Sequence, residues 1–330
     1  MNRVLITGGG GFVGKAIIRH LQKENIDCTA IGRNRYPELE DRGVSCLQGD
    51  ISDRNFVLKQ VRGYDAVFHV AALAGIWGAW ENYYKANVIG TRNIIEACLE
   101  NQINTLVYTS TPSVVFDSQD IISGDESLPY PHKFLCSYAK SKVIAEKEIL
   151  QVNQQDLKTC AIRPHLIWGP DDPHLIPRLI ERGKKKQLVI VGDGSNLVDL
   201  TYIDNVAHAH ILAVRNLTTT ATASANAYFI SQEKPIKMWE WINELFSELG
   251  VPQVKKRISL KKAIIAGRIL EGIHTLLLPQ IEPKMTRFLA QQLARSHYFS
   301  HQKAEIDLGY TPVVSIDEGM EKLLYWLRKQ

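Results

Sequence analysis

The chain has 330 residues, of which 45% are hydrophobic and 22% charged, and its formal net charge is +4. This is the make-up of a globular protein with a sizeable core, which excludes a disordered, collagen-like or coiled-coil chain. The charge is too slight for a nucleic-acid-neutralising polycation, and the short basic runs at 184–186 and 255–257 read as solvated faces with no nucleic-acid motif beside them.

The apolar run from Arg3 to Ile6 predicts a buried first strand. Gly8, Gly9, Gly11, Phe12, Val13 and Gly14 follow, and then a stretch with helical spacing. Gly9, Gly11 and Gly14 fit the G-x-G-x-x-G turn of a dinucleotide-binding strand–helix junction, and the spacing Gly8, Gly11, Gly14 is met as well. Such a turn lets the backbone approach a pyrophosphate, and the helix N-terminus offers it free N–H groups. Four glycines in a row are conformationally costly, which argues for a ligand at this junction.

Residues 28–32 read as the second strand. An NAD site usually places an acid at its end to bond the ribose hydroxyls. Here Gly32 stands there, followed by Arg33 and Arg35, whose forked donors match a phosphate. NADP(H) is therefore the expected cofactor, with NAD(H) the other candidate. Asp50, beside Ile51, ends the third strand; it either contacts the adenine or caps the helix starting near Asp53.

The fourth strand leads into 71–80, where Trp77 and Trp80 either line a pocket at the sheet's carboxyl edge or pack in the core. A fifth strand over 105–109 ends at Thr111, placed to bond a substrate oxygen beyond the carboxyl end. Tyr138 and Lys142 share one face of a helix expected over 137–150. A tyrosine near pKa 10 is a poor proton donor at neutral pH. An ammonium one turn away is expected to lower that pKa and to bond the nicotinamide ribose.

These stretches together resemble the extended short-chain dehydrogenases/reductases, in their 3β-hydroxysteroid dehydrogenase branch, over residues 2 to about 216. The resemblance implies a Rossmann-type doubly wound parallel α/β sheet with a smaller, mainly helical C-terminal lobe. Residues 1–165 would form the cofactor core and 166–330 most of the substrate lobe, with about 200–216 returning to the core. It assigns Thr111, Tyr138 and Lys142 to catalysis, with Ser110 and Ser113 competing for the part of Thr111. It makes Asn87 the family's structural asparagine. Ala71, in His69–Ala72, comes beside the adenosine, and Pro164 beside the carboxamide, with His165 next to it on the substrate side. Within the branch the chain is similar to the 2-alkyl-3-oxoalkanoate reductases of bacterial olefin biosynthesis, on 35–39, 108–114, 166–170, 191–199 and 286–293. That implies NADPH-dependent reduction of a lipophilic 3-oxo acid. Oxidation of a 3β-hydroxysteroid or sterol carboxylate, or a non-catalytic NADP-sensing role, are the alternatives.

The cysteines, Cys28, Cys46, Cys98, Cys136 and Cys160, are odd in number and lack C-x-x-C spacing, so a reducing cytoplasm is expected. The first strand begins almost at Met1, leaving no room for a signal peptide. No metal-ligand spacing appears among the histidines, and no metal is expected. Residues 238–249 read as a helix with Trp239, Trp241 and Phe246 packing. Residues 263–278 are apolar but carry Arg268, Glu271 and His274 at three-residue steps. Too short and polar to span a bilayer, they form a packed amphipathic helix, a lid, or a helix lying on a membrane surface. A homodimer is the expected assembly.

Overall fold

A computed structural model of the chain describes residues 1–152 and 156–330. Seven strands form one parallel sheet. In spatial order they are Asn226–Ile230, Lys158–Pro164, Thr105–Thr109, Ala66–His69, Arg3–Thr7, Asp27–Gly32 and Ser45–Gln48. The order reverses between Arg3–Thr7 and Ala66–His69, which lie side by side although two strands and the helices around them separate them in sequence. In open parallel sheets that reversal opens a crevice beyond the carboxyl ends of the strands. The central strands are buried almost continuously (Val4 to Ile6, Ala66 to Phe68, Leu106 and Val107), because helices cover both faces.

The helices Phe12–Gln22 and Ile203–Thr218 pack together on one face. Gly90–Glu100 and Ser137–Gln151 cover the other. The chain returns to the core with Ile203–Thr218 and again with the edge strand Asn226–Ile230, beyond the stretch that the sequence pattern marked for return.

A second, four-stranded sheet joins Ile236–Lys237, Leu197–Val198, His297–Phe299 and Ile121–Gly124. The helix Met238–Glu248 buries Trp239, Trp241 and Phe246, so its aromatics are core, as expected. Trp241 meets Trp168 edge-on at 5.1 Å between ring centroids.

The helix Leu260–Leu277 docks in an unexpected sense. It buries Ala263 and Gly267 and turns Ile265, Ile269, Ile273 and Leu276 outward. A Cβ on Gly267 would stand 2.7 Å from the Thr286 carbonyl carbon, so this face is pressed against the turn before Arg287–Ala294. Glu271, one of the three polar residues read as a stripe, bonds the Arg287 side chain at 2.6 Å. His274 Nδ1 lies 2.7 Å from the Ile281 carbonyl.

Candidate active site

One cavity of about 890 Å³ runs along the carboxyl edge of the large sheet. At one end it is bordered by Arg33, Tyr36, Asp50 and Ile51, in the middle by Gly8, Gly11, Phe12, Val13 and Ala71, and at the other end by Thr111, Tyr138, Lys142 and Pro164. Residues from six separate strand ends thus meet in one crevice.

The glycine turn is shaped by close approach. Gly8 has φ +68°, and a Cβ there would come within 2.9 Å of the Ala71 backbone. Gly11 N–H donates to the Gly8 carbonyl at 2.9 Å, and the helix starts at Phe12. Its first N–H groups have no intrahelical acceptor and point along the dipole toward the cavity. Gly9 and Gly14 do not border the cavity. Gly14 sits under the turn, where a Cβ would meet the Gly8 carbonyl oxygen at 2.3 Å. The cradle has the bare, donor-rich surface that a pyrophosphate requires, so the residues present fit a dinucleotide.

Tyr36 was not foreseen. Its ring lies against Gly10 and Gly32, where a Cβ on either would fall 2.1 Å and 2.5 Å from ring or hydroxyl atoms. It walls the end of the cavity beside Arg33. The signal in the sequence was Gly10 itself, a glycine that the dinucleotide pattern does not require.

Arg33 borders the cavity, but Arg35 does not. Arg35 is turned outward with its side chain 72% exposed and 3.1 Å from Glu40. The fork of two arginines expected from spacing is therefore one arginine: the chain bends at 33–34 once the strand has ended, so the two side chains no longer share a face as i and i+2 would along a strand. Asp50 lines the cavity and accepts from the Ser52 amide at 2.9 Å. It does not cap the next helix; Asp53 does, accepting from the Phe56 amide at 3.1 Å.

At the opposite end, Tyr138 and Lys142 stand one turn apart on Ser137–Gln151. Burial pushes the Tyr138 hydroxyl up to about 12, opposed by a hydrogen bond with Thr111. The downward shift expected from Lys142 is not what this site has. Lys142 Nζ donates to the Thr109 carbonyl at 2.6 Å and lies 4.0 Å from the Tyr108 ring centroid. Burial pulls the ammonium down to about 7, with Glu146 pushing the other way. Glu146 is itself held by Arg163 at 2.6 Å and by the Tyr130 hydroxyl at 2.7 Å. Of the three hydroxyl candidates, Thr111 meets Tyr138. Ser110 has a buried hydroxyl with no partner among the described residues, and Ser113 is 3.3 Å from the Thr111 hydroxyl.

Asn87 does not touch the cavity. It sits in a wide π turn, Tyr84–Ile89, and is buried. Its side-chain oxygen accepts from the Leu73 amide at 2.7 Å. Its amide group donates to the Leu73 carbonyl at 3.0 Å and to the Ser141 hydroxyl at 2.9 Å. It pins the cavity wall at 71–74 to the helix that carries Tyr138. His69 is buried between Thr7 and Thr91, 2.7 Å and 2.9 Å from their hydroxyls. Burial keeps it neutral, down to about 3.

Three residues expected near the substrate lie elsewhere. His165 is buried 2.6 Å from His297. Pro164 and Leu166 border the cavity, and His165 between them faces the other side, at the turn past the strand end where Leu166 has φ +40°. Trp77 donates from its indole to the Pro279 carbonyl at 3.1 Å. Trp80 packs on Tyr84 and under Lys140, whose Nζ is 4.2 Å from its ring. Asp172 and His174, which sequence reading passed over, border the cavity instead. Asp172 caps the helix Leu175–Lys184, accepting from the Ile176 amide at 2.8 Å.

A doubly wound parallel sheet with this glycine turn and a Thr–Tyr–Lys constellation defines an extended short-chain dehydrogenase/reductase, an NAD(P)-dependent oxidoreductase. The model of the 3-beta hydroxysteroid dehydrogenase/isomerase family matches residues 5–262, and the chain belongs to that family. Over 97% of its length it is 47% identical to the 2-alkyl-3-oxoalkanoate reductase of Stenotrophomonas maltophilia, covering 98% of that protein. It is 46% identical to the Shewanella oneidensis protein of the same name, over 98% of this chain and 86% of the other. Among solved structures, MoeE5 in complex with UDP-glucose and NAD has the same fold, with a TM-score of 0.76 at 23% identity over 99% of both chains.

Proposed function

We propose that the protein reduces a lipophilic 2-alkyl-3-oxoalkanoate to the 2-alkyl-3-hydroxyalkanoate with NADPH. The observation that carries this is the convergence of Thr111, Tyr138 and Lys142 at one end of a cavity whose other end is a glycine cradle. The relatives' names supply the substrate class. Gly32 in place of a ribose-binding acid, with Arg33 at the cavity rim, supports NADPH over NADH.

Bound there, the nicotinamide supplies the hydride. Tyr138, held protonated by burial, gives its hydroxyl proton to the ketone oxygen as negative charge develops on it. Thr111 donates a hydrogen bond to the same oxygen and helps to carry that charge. Lys142 keeps one N–H on the Thr109 carbonyl, which leaves its other N–H groups to bond the nicotinamide ribose. Glu146, one turn further along the helix, favours the charged form of Lys142. Asn87 is a positioning residue in this scheme.

The test is reduction of NADP⁺ by the purified protein, offered a 2-alkyl-3-hydroxyalkanoate and, separately, a 3β-hydroxysteroid. Turnover of the hydroxy acid is the expected result. Turnover of the steroid alone would replace this reading with a steroid dehydrogenase.

A further inference from the structure

Seven of the twelve exposed large apolar side chains among the described residues lie in one segment: Ile265, Ile269, Ile273, Leu276, Leu277, Leu278 and Ile281. Leu276 is 82% and Ile269 57% exposed. Steps of four, four and three residues place Ile265, Ile269, Ile273 and Leu276 along one face of Leu260–Leu277. A contiguous apolar face of this kind marks an interaction site.

The charges around it are of one sign. Lys261, Lys262 and Arg268 are exposed on the same helix. The acids of the segment are paired and withdrawn: Glu271 bonds Arg287, and Glu282 bonds Arg178. The C-terminal end of the helix also meets the wall of the active-site crevice. Trp77 bonds the Pro279 carbonyl and stacks edge-on with His274, a few residues beyond the cavity-lining stretch 71–74.

We propose that this face docks the protein on the surface of an anionic phospholipid bilayer. The apolar stripe enters the acyl boundary and the lysines and arginine meet the headgroups. No helix among the described residues is long and apolar enough to cross a membrane, so the helix lies in the interface plane. Charge selects the bilayer over a second copy of the chain. An isologous contact through this face would bring like charges together, whereas anionic lipid complements them. Docked this way, the loop at 75–78, which continues the cavity wall at 71–74, lies next to the lipid. Loading of a lipophilic substrate from the membrane then follows, and that last step alone rests on the function proposed above.

The experiment is flotation of the full chain with vesicles of phosphatidylcholine alone, or with about 30 mol % phosphatidylglycerol. No substrate or cofactor is present, so the outcome is independent of the catalytic reading. The protein is expected to float with the anionic vesicles and much less with the neutral ones. Ile269→Asp with Leu276→Asp should cut the bound fraction by about tenfold or more. Lys261→Gln with Lys262→Gln and Arg268→Gln should remove the preference for anionic lipid. All five positions are exposed, and unchanged melting curves check that the variants fold. Three outcomes overturn the proposal: no flotation of the wild type, variants that float as it does, or no flotation together with a lower oligomer mass in the Asp variant, which would mean that a second copy covers the face.

Discussion

Asn87→Ala tests the claim that the crevice wall and the proton-donor helix are held by one side chain. The substitution removes three hydrogen bonds, to the Leu73 amide, the Leu73 carbonyl and the Ser141 hydroxyl. The site is buried, so water does not readily replace the lost partner. At about 1 kcal/mol for each bond, the loss of folding stability is about 3 kcal/mol, and more where a backbone group is left unpaired. The side chain does not border the cavity, so it holds no reacting atom; its loss loosens residues 71–74 against the helix Ser137–Gln151. Misplacement of about 1 Å in such a frame costs about a hundredfold in rate. Urea unfolding gives the stability, and steady-state kinetics the rest. Cofactor KM should rise together with the fall in kcat. A variant within about 0.5 kcal/mol of wild type and with unchanged kcat/KM would refute the reasoning.

Tyr138→Phe removes the proton donor and leaves the cradle intact. Turnover should fall by about 10²–10⁴ while NADPH affinity, read by fluorescence titration, stays within about twofold. Arg33→Ala should weaken NADPH binding by about tenfold and leave NADH binding unchanged, because only the former carries the extra phosphate. Equal losses for both cofactors would remove Arg33 from phosphate recognition. Asp199 is buried, accepts from the Phe299 amide at 2.7 Å, and is pushed up to about 7. A raised carboxyl binds its proton more tightly folded than unfolded, so its contribution falls as pH rises from about 4 through 7. Asp199→Asn keeps an acceptor for that amide and cannot ionise. Its stability relative to wild type should increase between about pH 4 and 7 and level off above, as melting curves taken across that range will read; a constant difference would refute the assignment.

The order of strands and helices, the glycine turn and the Tyr138–Lys142 pair were legible because each depends on local spacing. Period-two and period-3.6 patterns, and a tyrosine and lysine four residues apart on a helix, carry their geometry within a short stretch of chain. What went astray depended on which side of the chain a residue faces after a regular element ends. Arg35, His165 and Trp77 lie just beyond strands or in loops, and Trp80 opens the short helix Trp80–Tyr83, so the turn and not the period sets direction. The same holds for what was missed: Tyr36, Asp172 and His174 reach the cavity from loops.

By itself, the sequence determined the class of fold and chemistry, since a nucleotide cradle and a proton-donor helix are short-range constructions. Tertiary structure decided the electrostatics. Tyr138 is pushed up and Lys142 down because both are enclosed, and enclosure is a property of elements distant in sequence. It also decided the sense of Leu260–Leu277. Apolar periodicity defines a face but not what the face meets, and here the small residues Ala263 and Gly267 dock on the protein while Ile265, Ile269 and Ile273 meet solvent.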